Sequence, residues 1–153
     1  MKQLSFLILP FLCLIMSSCS VRNESSAPSP TIPKDAVEIG NSGYYCITGE
    51  SEEVDAISSE STQRIKVFAH QIFDPNCNYV ITLTTTISGQ HSFEEDTAAI
   101  TDLTASMSDA ATDGFSASVH ISKNTGTVIL YRNQQSVCYF QYRLLPDGTF
   151  SFL

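Results

Sequence analysis

The chain has 153 residues, with 16 acidic against 8 basic side chains and a formal net charge of −8. That length supports one core of modest size. The acidic balance excludes a surface that grips nucleic acid or anionic lipid by charge, because both need a basic face.

At the start of the chain, Lys2 supplies a positive charge ahead of an apolar run from Phe6 to Met16 that ends in small residues, the pattern of a secretory signal. The run is shorter than the roughly 20 apolar residues that a membrane-spanning helix needs. Residues 1–18 are therefore expected to be a cleaved signal peptide. The segment Met16-Ser17-Ser18-Cys19 resembles the lipobox of bacterial lipoprotein precursors, with Met16 where those precursors usually carry Leu or a similar aliphatic residue. The resemblance covers the leader alone. It implies that Cys19 is lipidated and becomes the first mature residue, and that lipid on Cys19 is the contact with the membrane. Two acyl chains, at about 0.8 kcal/mol per buried CH₂, hold stably where one is marginal. Ser20 follows the cysteine, which in that family implies the outer membrane if the source is Gram-negative. Cleavage after Ser20 would instead release a free secreted protein without Cys19.

Residues 19–42 read as the lipidated cysteine and a tether. Ser20 to Lys34 is rich in Ser and Pro and offers almost nothing apolar to bury. In a polyproline conformation those residues would reach about 45 Å. Asn23-Glu24-Ser25 fits a glycosylation sequon, which a bacterial lipoprotein would not use.

Residues 43–153 read as a single globular domain. Gly43 to Thr48 is a short strand, followed by a connection from Gly49 to Thr62 with a weak helical turn at Val54 to Ile57. Its acidic cluster of Glu50, Glu52, Glu53 and Asp55 suits a solvated loop. Arg64 to Phe73 alternates, with Ile65, Val67, Ala69 and Phe73 on one face and Lys66, Phe68, His70 and Ile72 on the other. The turn signal Asp74-Pro75-Asn76 joins it to a strand from Tyr79 to Ser88.

Next the period changes. Ile100, Leu103, Met107 and Ala110–Ala111 fall at helical spacing, Ser92-Phe93-Glu94-Glu95 offers a capping box, and Gly114 offers a stop. These features predict a helix from about Phe93 to Thr112 that covers the sheet. Phe115 to Ser122, Thr127 to Arg132 and Val137 to Leu145 read as strands, with Pro146-Asp147-Gly148 turning the chain into Thr149 to Leu153. Connections this short rule out parallel crossovers. The expected fold class is α+β, an antiparallel sheet of about six or seven strands with one covering helix. The alternative, if the helix fails, is an all-β sandwich.

Cys46, Cys77 and Cys138 are disulfide candidates in an oxidising compartment. Three pairings are open, and Cys46 with Cys77 is favoured because Cys138 sits inside a strand-like run. Closing that loop would stabilise by about 3 to 4 kcal/mol. Glu95, Asp102, Asp109 and Asp113 line one side of the expected helix without local basic partners, and they are the weak candidates for a cation or a basic partner. A plain solvated face explains most of that stripe. His70, His91 and His120 carry no motif, although Cys77 with His70 is a conceivable nucleophile pair across a hairpin. No hydrolase, metalloprotease or phosphate-loop signature is present, and no cofactor is expected. Tyr44, Tyr45, Tyr131, Tyr139, Tyr142, Phe150 and Phe152 concentrate aromatics at both ends of the domain. If several were exposed together they would mark a binding patch. The edge formed by the last strand could take a partner by strand addition. The sequence thus points to a non-enzymatic protein-binding or structural module with an envelope protein as partner. A small extracytoplasmic hydrolase or metal-dependent enzyme is the alternative.

Overall fold

The computed structural model describes residues 28–57, 59–108 and 114–152. Residues 1–18, Cys19, Asn23, Asp109 and Asp113 lie outside them, as do the expectations placed there. The described residues form nine strands and no helix. They are β1 (Val37–Glu38), β2 (Tyr45–Ile57), β3 (Ser61–Phe73), β4 (Tyr79–Ser92), β5 (Thr97–Met107), β6 (Phe115–Ser122), β7 (Thr125–Arg132), β8 (Gln135–Leu144) and β9 (Phe150–Phe152). One antiparallel sheet has the order β1-β2-β3-β4-β5 and the other the order β6-β7-β8-β9. The fold class is therefore all-β, and the α+β expectation is corrected.

The helix predicted over 93–112 fails for a definable reason. Phe93 to Asp96 is the turn between β4 and β5, with Asp96 at φ 49°. Beyond it, the β4 ladder pairs Gly89 with Ile100 and Ser88 with Asp102, skipping Thr101. This bulge puts one extra residue into β5, so Ile100 and Leu103 face the same side although three positions separate them. Both are buried, at 6% and 4% exposure. A bulged strand has imitated the helical interval. The β-branched content of Thr97, Ile100, Thr101 and Thr104 agrees with a strand.

The connection expected over Gly49 to Thr62 is also corrected. β2 runs on to Ile57 and pairs with β3 along that length, with a bulge at Asp55. Thr48, Gly49, Glu50 and Ser51 at the start of that extension are exposed. Glu50 meets Lys66 of β3 at 3.1 Å.

Side chains from the two inner faces make one core. Phe68 and Ile72 of β3 meet Ile81, Leu83 and Ile87 of β4 on one side, and Val128, Leu130, Phe140, Tyr142 and Leu144 on the other. Ile100 and Leu103 come within about 3 Å of where a side chain would begin at Gly126 of β7, so a residue without Cβ is needed there for the sheets to approach. β5 runs beside β6, and the Ile100 N–H donates to the Lys123 carbonyl at 2.9 Å. This flank of the sandwich is thus closed. Among the described residues, the opposite flank, where β2 faces β8 and β9, is bridged by the N-terminal segment. Ile39 from that segment is buried in the core, and its N–H donates to the Tyr44 carbonyl at 2.8 Å.

Candidate functional site

The open flank holds a cavity of about 470 Å³, within the range of small-ligand sites. β2 contributes Cys46 and Thr48, β8 contributes Tyr139 and Gln141, and Phe152 comes from β9. Val37, Ile39 and the carboxylates Asp35 and Glu38 complete it from the N-terminal segment. Among the described residues, no basic side chain lines it.

The cavity exists because two short strands stop early. β1 pairs only with Tyr45 and Cys46 of β2, since the chain turns away at Asp35, whose φ is 67°. β9 pairs only with Tyr142, Arg143 and Leu144 of β8. Among the described residues, Ile47–Ile57 of β2 and Gln135–Gln141 of β8 therefore have no ladder partner on their outer edges. Backbone donors and acceptors on such edges are open to another strand.

Behind the cavity wall lies a buried polar chain. His70 is fully buried and makes two hydrogen bonds, its Nδ1 to Thr48 Oγ1 at 2.8 Å and its Nε2 to the Tyr142 hydroxyl at 2.7 Å. Tyr142 in turn donates to Thr85 Oγ1 at 3.0 Å. Because the Tyr142 hydrogen is committed to Thr85, Nε2 must carry the imidazole proton and donate to Tyr142, and Nδ1 must accept from Thr48. The Cys46 thiol, 3.7 Å from Thr48 Oγ1, is then the donor in that contact. Phe140 stacks on the His70 ring at 4.4 Å, and Phe152 packs on it at 5.0 Å.

Burial dominates the electrostatics. It lowers the His70 pKa to about 4 and raises that of Tyr142. Burial also pushes the Cys138 thiol up to about 12, with the nearby Cys46 adding to it. Cys46 is raised by burial and partly relieved by its contact with Thr48. A thiol held in its protonated form is a poor nucleophile, and an imidazole with both nitrogens engaged and its charged form penalised is a poor base.

The sequence-predicted candidates disperse. Cys46, Cys77 and Cys138 are all free thiols, so neither the favoured Cys46–Cys77 disulfide nor another pairing is present. Cys77 sits at φ 61° in the turn after β3, held by its N–H to the Asp74 carbonyl at 2.8 Å, and it is not a partner of His70. Glu95 lies in the β4–β5 turn and Asp102 on an exposed position of β5, so the stripe expected on one helix face does not form there. Among the described residues, no group of three His, Cys, Asp or Glu side chains could hold a metal ion. Tyr44 and Tyr142 are core, while Tyr139 is 62% exposed at the cavity wall.

Thr48, Asp35, Glu38 and Gln141 were not foreseen. One signal was present, since His70 falls on the Phe68 and Ile72 face and Tyr142 on the Phe140 and Leu144 face. Polar groups at inward positions of two strands need each other. Comparison with protein-family models, curated proteins and solved structures finds no match.

Proposed function

We propose that this protein is a non-enzymatic binding module, lipid-anchored through Cys19 on the extracytoplasmic side of a bacterial membrane. It engages another envelope protein by strand addition at the open flank between β2 and β8. The observation that supports this reading is the coincidence of two unpaired strand edges with a preformed, mainly apolar cavity between them. In strand addition, main-chain hydrogen bonds supply affinity, and pockets for alternate side chains supply selectivity. The thiol and the imidazole nearest the cavity have their reactivity suppressed by burial, which favours binding over turnover.

Site-directed photocrosslinking in cells tests the reading. A crosslinking residue at Thr48 or Gln141 should give one discrete adduct with another protein, and the same residue at His120 on exposed β6 should not. A Cys19→Ala variant should lose both fatty-acid labelling and the adduct. Equal adducts from β6 and from the open flank would overturn the proposal.

A further inference from the structure

The chemistry of the open flank narrows the partner, on the assumption that a strand is added there. The cavity floor is apolar, formed by Ile39, Cys46 and Phe152, while the two charged groups that line it, Asp35 and Glu38, are both acidic and both exposed. Glu38 is held in place, because its Oε1 accepts from the Gly43 N–H at 3.0 Å. The proton order of the buried chain adds a third constraint. Thr48 donates to His70 and accepts from Cys46, which leaves its hydroxyl one lone pair and no hydrogen for an occupant. The side chains whose roles are fixed therefore offer acceptors and negative charge beside an apolar floor.

We infer that the occupant is an extended protein segment in which apolar residues alternate with Lys or Arg. The apolar side chains would fill the cavity over Cys46 and Phe152, and a basic side chain would meet Asp35 and Glu38. Alternation follows from strand geometry, since every second side chain can enter the cavity while those between stay at its solvent margin, where the exposed Asp35 and Glu38 stand. Basic character follows from the carboxylates and from a chain whose formal charge is −8. Complementary charge of this kind steers encounter and rejects acidic competitors.

The test uses the full-length protein in detergent and four synthetic octapeptides, read by fluorescence polarisation. Three alternate Val with Lys, Val with Glu and Val with Ser. The fourth is the Val–Lys peptide with alternate backbone nitrogens methylated. The Val–Lys peptide should bind roughly tenfold tighter than Val–Ser, and Val–Glu weakest. An Asp35→Asn plus Glu38→Gln variant should bring Val–Lys and Val–Ser to within about threefold of each other without weakening Val–Ser. Asn tolerates the positive φ at position 35, and Gln keeps an oxygen for Gly43. Equal binding of Val–Lys and Val–Ser to the unaltered protein would overturn the charge inference and leave strand addition standing. Undiminished binding of the methylated peptide would overturn strand addition itself. If no peptide binds while dodecylamine does, the occupant is a small cationic amphiphile and the inference of a protein segment is wrong.

Discussion

At the scale of single residues, His70 decides more about this protein than any other side chain. It is a fully buried titratable group held by two neutral hydroxyls, so folding requires the neutral form. Its folded pKa, about 4, lies below the ordinary value of 6.5, and the unfolded chain therefore takes up the proton first. The stabilisation is complete above about pH 6.5 and is lost as pH falls toward 4, by roughly 3 kcal/mol in all. Urea midpoints measured from pH 7.5 to 4.5 should fall accordingly, and His70→Gln, which keeps a donor and an acceptor, should flatten that fall. Tyr142→Phe should cost about 1 to 3 kcal/mol, because it strands the His70 Nε2–H and leaves Thr85 without its donor. Tyr139→Phe, at an exposed position, should stay within about 0.5 kcal/mol. The thiols offer a second check. In the native protein a maleimide should label Cys77 first, since Cys46 and Cys138 are buried and their ionisation is disfavoured. Simultaneous labelling of all three would contradict the packing at the open flank.

At the scale of elements, β5 shows how a regular interval can belong to an irregular strand. Deleting Thr101, the residue that the bulge leaves unpaired, would restore strict alternation and still point Ile100 and Leu103 inward. That deletion should cost about 1 kcal/mol at most in a thermal melt, whereas in a helix it would rotate everything beyond it by about 100°. Gly89→Ala should be worse. A Cβ at Gly89 would sit 2.6 Å from a Leu144 methyl and 3.0 Å from the Phe150 ring, an overpacking cost of about 1 to 3 kcal/mol. The same logic explains what the amino-acid pattern could reveal. Cys138, Phe140, Tyr142 and Leu144 alternate without interruption, and their shared face is the buried one. Tyr79 stands two positions before the buried Ile81, yet the bulge opposite Ile72–Phe73 takes it out of step and leaves it 51% exposed. A bulge is set by how two strands meet, and one strand's own sequence does not encode it. The length of β2 was hidden for a different reason, since an acidic stretch in a sequence suits an edge strand as readily as a loop. The cavity was the least legible feature. Its walls come from two stretches at opposite ends of the chain, 35–48 and 139–152, and only the packing of one sheet on the other brings them together.

At the scale of the molecule, the sandwich is closed on one flank and open on the other. Where β5 meets β6, a backbone hydrogen bond and the missing side chain at Gly126 draw the sheets together. Where β2 meets β8, the short strands β1 and β9 leave edges without a partner among the described residues. Open edges promote unwanted association, so this flank should also govern solubility. Placing Lys at Tyr139 in the β8 edge should lower the tendency to aggregate on concentration and weaken capture of the basic peptide, both measurable by light scattering and polarisation. If it alters neither, the open flank is not where the protein meets other chains.

The order of the strands has a kinetic consequence. Each strand in both sheets pairs with its neighbour in sequence, and the chain passes from one sheet to the other only once, between β5 and β6. All ladders can therefore nucleate as hairpins, and no long loop must close before the first stable contacts form. Refolding should be fast for an all-β protein and should show no slow topological phase. Two co-expressed fragments divided between Met107 and Phe115 would each carry a whole meander, and they should reassemble into the native sandwich, a result detectable by recovery of the protected Cys138 thiol.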